Sequence, residues 1–347
     1  MRFYSGRHRY YCGIDLHART MYLCILEHES GKVLLHRNLR CDPQLFLSTI
    51  EPYREDLVVG VECIFCWYWL ADLCNQQGIP FLLGHALYMK AIHGAKAKND
   101  KIDAHKIAVL LRGGAFPLAY VYPRGMRATR DLLRRRLFFV RRRSELFTHI
   151  RNTFHQINLP PPTVPFHHPR NRLGLARAIP DPVVRATVEA DLALATRLDE
   201  IIRTLELTIR QQVKIDDPKT FKLLQTIPGI GRILALTLLY ELHDVGRFPR
   251  VQDFLSYARL VKSQAASAGK VTGTSGAKIG NAHLKWAYSE AAVLFLQKNP
   301  PGQRLLNRLR AKHGKGKALS ILAARLGRAS YYMLRRSTAF DMDRFMN

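Results

Sequence analysis

Three short β-rich runs follow one another near the start of the chain, and they constrain its fold more than any later feature. "YYCGID" is the first, "MYLCILE" (21–27) the second and "KVLLHRNL" (32–39) the third, with the turn signal "HESGK" before the last. "LVVGVE" (57–62) has the pattern of a buried strand, and "PFLLG" (80–84) is a fifth run. Between these, "CWYWLADLCNQQG" (66–78) has helical periodicity ending at Gly78. "DKIDAHKIAVLLRGG" (100–114) is a second helix, with Ile102, Ile107, Val109 and Leu110 near helical spacing and Gly113-Gly114 as its stop. Three strands joined by turns, followed by alternating helix and strand, predict an α/β domain with a mixed sheet over residues 1–125.

From 126 the composition changes. Ten arginines lie between Arg124 and Arg151 against two acids, Asp131 and Glu145, while Leu133, Leu137, Val140 and Phe147 share one face. The proline- and histidine-rich segment "NLPPPTVPFHHPRN" (158–171) excludes regular helix and reads as a loop or an extended arm. A further helix over about 183–214 carries Ala195, Leu198, Ile202, Leu205 and Ile209 at steps of three and four, a short heptad seam. Residues 126–218 therefore predict a helical coiled-coil hairpin or dimerisation arm. The last part, 219–347, reads as mostly α-helical. Its "IPGIG" turn between apolar runs has the form of a helix-hairpin-helix, in which Gly229 and Gly231 let the backbone approach a phosphate. Residues 263–282 are nearly all Ser, Ala, Gly, Thr and Lys, a composition that alone reads as a surface loop. Helical periodicity returns at 283–296 and 318–336.

The charge is lopsided. There are 54 Lys and Arg against 27 Asp and Glu, a formal net charge of +27, which makes a polyanion the leading partner. No apolar run is long enough to cross a bilayer, and the basic N-terminus lacks the apolar core of a signal peptide. All six cysteines fall in the first 74 residues, and the lone CxxC (Cys63, Cys66) has no second pair at zinc-finger spacing. A reduced, cytoplasmic protein is expected.

Against that background the acids stand out. Asp15 falls at the end of the first strand and Glu62 at the end of the fourth, while Asp100 and Asp103 nearly eclipse at a helix start. Clustered carboxylates repel unless a cation holds them, and two-metal phosphoryl transfer needs oxygen ligands for two Mg²⁺ roughly 3.5–4 Å apart. Lys96, Lys98, Lys101 and Lys106 then read as phosphate contacts. Arg134, Arg135, Arg141 and Arg142 suit a nucleic-acid backbone in the same way. Taken singly, Asp100 reads better as a helix cap than as a ligand, Glu62 as well as the first residue of a solvated turn, and each lysine better as solvated surface.

"CGIDLHART", "VVGVE" and "KNDKIDAHKIAVLL" resemble the RuvC-like DEDD domain of the insertion-sequence family one-ten (IS110) transposases, a group of bridge-RNA-guided recombinases, and the resemblance extends over nearly the whole chain. It implies an RNase H-like (RuvC-like) fold and Mg²⁺ held by Asp15, Glu62, Asp100 and Asp103. It also implies DNA recombination, with donor and target DNA and a structured non-coding RNA as partners. It further implies a serine nucleophile that forms a phosphoseryl link. Measured from "FLSYARL" (254–260), Ser267 falls on that position, beside Lys270 as a nucleic-acid contact; Ser263 and Ser275 are the other serines of the segment. No His/Asp partner is spaced to activate a serine, so activation by the carboxylate-held metal is expected, which requires the two domains to meet within or between protomers. The chain departs from the family at Cys63-Ile64, at Arg259-Leu260-Val261-Lys262 and at Ser267-Ala268-Gly269, where the family has Thr-Gly, Gly-Leu-x-Pro and Ser-Gly. The heptad seam predicts at least a dimer, and pairing two DNA molecules a tetramer. A nucleoid-associated location follows from DNA work. The alternative reading is a metal-dependent nuclease of the Holliday-junction-resolvase kind, without serine chemistry. A third is a DNA-binding protein without catalysis.

Overall fold

The computed structural model describes residues 2–92, 99–268, 270–275 and 279–346. The chain divides into two compact units, Met1–Arg124 and Gly125–Asn347.

The first unit is built on five strands: β1 (Tyr10–Leu16), β2 (Thr20–Glu27), β3 (Val33–Arg40), β4 (Leu57–Glu62) and β5 (Phe81–Gly84). Among the described residues, four α-helices accompany them: α1 (Pro43–Ile50), α2 (Tyr68–Gln76), α3 (Ala86–Ile92) and α4 (Asp100–Arg112). The sheet order is β3-β2-β1-β4-β5. β1, β2 and β3 form an antiparallel meander, and β4 and β5 run parallel to β1. This mixed sheet fits the RNase H-like arrangement expected from the strand pattern. The sequence does not single out α1 or α3.

Period-two alternation decides which residues face which helices. Cys12, Ile14 and Leu16 of β1 join a core with Phe46 and Ile50 of α1 and Leu70, Ala71 and Cys74 of α2. Tyr11, Gly13 and Asp15 therefore point to the other face. There Tyr11 and Val58 pack with Ile107, Leu110 and Leu111 of α4, and Cys24 and Leu26 with Ala104 and Ala108. α4 lies very close to β1: a Cβ built on Gly13 would stand 2.3 Å from the Ala104 carbonyl oxygen and 2.3 Å from the Ala108 nitrogen. Only glycine permits that approach.

The second unit is helical, with one hairpin. Its helices are α5 (Arg124–Gln156), α6 (Pro182–Gln212), α7 (Pro218–Gln225), α8 (Arg232–Leu242) and α9 (Val251–Tyr257), followed by strands β6 (Ser263–Ser267) and β7 (Lys270–Ser275). Then come α10 (Ala282–Leu294), α11 (Pro300–His313), α12 (Lys315–Arg336) and α13 (Met342–Met346). α5 and α6 run antiparallel. Arg136 donates to Glu206 at 2.6 Å, Arg143 pairs with Asp199, and His149 Nδ1 lies 2.5 Å from Asp191. The spaced apolar residues Ala195, Leu198, Ile202 and Ile209 are all buried. The proline-rich segment is a folded loop: Phe166 is buried, and the buried Arg172 donates to the Phe166 carbonyl at 2.9 Å and to Asp199 at 2.6 Å. Residues 263–275, which composition reads as a loop, form the antiparallel hairpin β6–β7.

Gly229, in the turn between α7 and α8, has φ +84, and its missing Cβ leaves room for the backbone of Leu294 and Phe295 at the end of α10. Close packing thus accounts for this glycine. Buried Glu241 of α8 accepts from Arg130 and Arg134 of α5, and from Asn281 Nδ2 at 2.8 Å. Asn281 Oδ1 in turn caps α10 by accepting from the amides of His283 and Leu284.

Candidate metal and nucleic-acid sites

Asp15 is the penultimate residue of β1, on the α4 face. In the parallel register Ile14 lies beside Val61, so the next residue of each strand, Asp15 and Glu62, comes at the same edge of the sheet. Gly60 packs against Leu111 of α4, and by alternation Glu62 shares that face with Asp15. α4 begins over this edge. Asn99 caps it, its side chain accepting from the Ile102 amide at 2.8 Å, which puts Asp100 and Asp103 in the first turn, where the helix dipole favours negative charge.

One group of metal-ligand type forms among the described residues: Asp15, His17 and Asp100, whose ligand atoms all lie within 4.8 Å of one another. His17 Nε2 stands 3.4 Å from Asp15 Oδ2 and 3.5 Å from Asp100 Oδ1. Asp15 is the shielded member, 18% exposed, against 48% for His17 and 51% for Asp100. His17 sits in the tight turn between β1 and β2, where its amide donates to the Thr20 carbonyl at 2.8 Å. Two carboxylate oxygens and an imidazole nitrogen at such separations are a donor set that fits a divalent cation.

Glu62 and Asp103 share the face and the edge but stand outside that three-residue group. Asp103 Oδ1 instead takes an ion pair from Lys106 Nζ at 3.1 Å. The sequence does not single out His17. Its only trace there is the D-x-H spacing in "GIDLH", and one histidine at a turn has no signature of its own.

The basic residues sort by their partners. Lys101 is exposed, and Lys96 and Lys98 lie outside the described residues. Arg134 belongs to the buried Glu241 cluster, with 2.9 Å between Nη2 and Oε2. Burial pushes the Glu241 carboxyl up, but the hydrogen bond and charge of Arg134, the charge of Arg130 and the Asn281 amide outweigh it and hold the group below its ordinary range. Arg135, Arg141 and Arg142 are exposed. The guanidinium groups of Arg135 and Arg142 lie 5.0 and 5.2 Å from the ring centre of Phe138, itself 41% exposed. Ser267 and Lys270 are both exposed and pair across the tip of the β6–β7 hairpin, whereas Ser263 pairs with Ser275 at its base. Gly229 and Gly231 are exposed in the α7–α8 turn.

The six cysteines are free thiols. Burial pushes Cys24 and Cys74 up to about 12, so neither serves as a thiolate near neutral pH. Among the described residues, no helix is long and apolar enough to cross a membrane.

Two stretches of the chain match known families. Residues 12–159 match the DEDD transposase model of IS110 elements, and residues 221–307 match the transposase IS116/IS110/IS902 family. The transposase for insertion sequence element IS1328 of Yersinia enterocolitica is 25% identical over 342 residues, covering 95% of this chain and 98% of that protein. The transposase for IS1111A of Coxiella burnetii is 22% identical over 340 residues, covering 94% of this chain and 90% of its own. Fold, site and these matches define a DEDD transposase, an enzyme that acts on DNA and whose domain type goes with a divalent metal. The chain belongs to the IS110 family of transposases.

Proposed function

We propose that this transposase is a site-specific DNA recombinase that cuts and rejoins strands through a phosphoseryl link at Ser267, with Mg²⁺ held by Asp15, Glu62, Asp100 and Asp103. The observation that carries the reading is the approach of Asp15, from the end of β1, to Asp100, from the start of α4, through His17 Nε2 at 3.4 and 3.5 Å. When bound, a divalent ion would activate an attacking hydroxyl and take up charge on the phosphate oxygens. Asp15 and Glu62 supply ligand oxygens from two neighbouring strand ends, and Asp100 and Asp103 supply them from one helical turn.

Ser267 Oγ forms a bond to phosphorus as the bond from phosphorus to one sugar oxygen breaks. The hydroxyl proton passes from Oγ to solvent water, and the departing sugar oxygen takes a proton back from solvent. Rejoining reverses the exchange with the hydroxyl of a second strand and restores the serine. Ser267 is exposed at the hairpin tip, beside Lys270, as a hydroxyl that must reach a phosphate would be.

The second unit then divides at 218/219 into an arm and a serine-bearing domain. The α5–α6 pair acts as a coiled-coil arm whose seam is spent within the chain, so its exposed apolar residues, among them Phe138, Leu194 and Leu207, would join protomers as a dimer, or a tetramer when two DNA molecules are paired. Lys101, Arg135, Arg141 and Arg142, and the helix-hairpin-helix turn at Gly229 and Gly231, track DNA or a structured bridge RNA by its backbone. Acting on chromosomal DNA would put the enzyme in the cytoplasm, on the nucleoid.

Denaturing gels of protein incubated with donor and target DNA test the serine step. The expected result is a protein–DNA adduct that Ser267→Ala abolishes and Ser263→Ala retains. Free cleaved ends without adduct would favour the hydrolytic nuclease instead. Equal recombination by an RNA-free preparation would refute RNA guidance.

A further inference from the structure

We infer that His17 is itself a ligand of the ion held at Asp15 and Asp100, and that it tilts the site toward a transition-metal cation such as Mn²⁺ over Mg²⁺. The inference rests on the carboxylate reading above and adds a residue and a selectivity to it.

The geometry is the first argument. His17 Nε2 faces oxygens of two separate elements, 3.4 Å from Asp15 and 3.5 Å from Asp100. Both separations are longer than a charge-assisted hydrogen bond, which runs about 2.7–2.9 Å, and one N–H serves one acceptor well. They fit ligand atoms around a shared ion. With bonds of about 2.1 Å, neighbouring ligands stand about 3.0 Å apart in an octahedron, so the ring and each carboxylate need close by only about half an ångström to share one ion.

The second argument is that the turn carrying the ring is held beside the acids. Its backbone is tied on both sides, the amide to the Thr20 carbonyl at 2.8 Å and the carbonyl to the Cys41 thiol at 3.4 Å.

The third is the donor set. Mg²⁺ demands hard oxygen ligands in a near-ideal octahedron, whereas Mn²⁺, which shares its liking for carboxylate, opens the transition series and accepts an imidazole nitrogen more readily. Lys106 already occupies one oxygen of Asp103, which leaves fewer carboxylate oxygens for a hard ion.

Pulsed electron paramagnetic resonance of the full-length protein loaded with Mn²⁺ tests this directly, together with calorimetric titration of Mn²⁺ and Mg²⁺ separately. Wild-type protein is expected to show ¹⁴N coupling from a directly bound imidazole. His17→Ala should abolish that coupling and weaken Mn²⁺ binding about tenfold while changing Mg²⁺ binding less than about threefold. Because His17 is half exposed, the variant should unfold at the wild-type temperature, which separates ligand loss from misfolding. Mn²⁺ bound without ¹⁴N coupling, coupling that survives His17→Ala, or equal losses for the two ions would overturn the inference and leave the carboxylate site standing. Failure of the wild type to bind Mn²⁺, or undiminished binding by Asp15→Asn, would overturn the carboxylate reading and this inference with it.

Discussion

Lys106 reaches back three residues along α4 to Asp103, with 3.1 Å between Nζ and Oδ1, while Asp100 at the same helix start faces His17 on the β1–β2 turn. The two acids of the D-x-x-D pair thus have different partners. Lys106 is a fixed positive charge competing with any cation at Asp103. Lys106→Met should therefore raise divalent-ion affinity about fivefold, equivalent to about 1 kcal/mol, in a Mn²⁺ titration. DNA affinity should hardly change. If Lys106 contacts phosphate instead, the variant would lose DNA affinity and the salt dependence of binding would fall by about one unit of slope.

Asp15→Asn keeps the shape of the strand end but removes its charge. Strand cleavage should fall about 10³-fold or more, the scale of losing several kcal/mol of transition-state stabilisation. The melting temperature should hold or rise, because the ion-free site loses one of its mutually repelling carboxylates. Cleavage rates and a thermal melt on the same preparation check both halves.

Glu241 is the buried acid on which Arg130, Arg134 and Asn281 converge. Glu241→Gln leaves two guanidinium groups without their counter-charge and should cost about 3 kcal/mol of stability, read from chemical denaturation. Glu241→Ala should cost more, since it also removes the acceptor for Asn281 and loosens the cap of α10.

His283, next to that cluster, is the pH-sensitive member. Burial, then the charge of Arg134, opposed by Glu241 and reinforced by Arg141 and Arg130, lowers it from 6.5 to about 4. The unfolded chain takes up this proton near pH 6.5 and the folded chain only near 4. Stability is therefore full above the unfolded value and falls as pH drops from about 6.5 toward 4. His283→Asn should flatten that part of a melting-temperature profile. The Glu241 carboxyl, held below 4.5, adds a further loss only at the acid end.

Much of the first unit could be read from the chain. Strands near Asp15 and Glu62 show themselves because alternation and β-branched runs are local signals, and the start of α4 is written in Asn99-Asp100 and the stop at Gly113. What stayed hidden depends on distance or on weak preference. His17 gains its place only when α4 folds over the sheet and brings Asp100 to it. Arg134 looks like every other arginine of its stripe until Glu241, 107 positions away, is packed against it. The β6–β7 hairpin is mostly Ser, Ala and Gly, which do not favour strand, and the preference of Val271, Thr272 and Thr274 is too thinly spread to outweigh them. α11 begins at Pro300-Pro301, and a proline pair reads as a break although proline is well suited to the first helical turn.

The absent side chain at Gly13 has a reach beyond its own position. A single methyl there would collide with the backbone of α4 at Ala104 and Ala108. The helix would have to lift from the sheet, drawing Asp100 away from Asp15. Drift at that one silent-looking position would disarm the enzyme while every acid stayed in the sequence, so a copy of such an element with an intact D-E-D-D signature can still be dead.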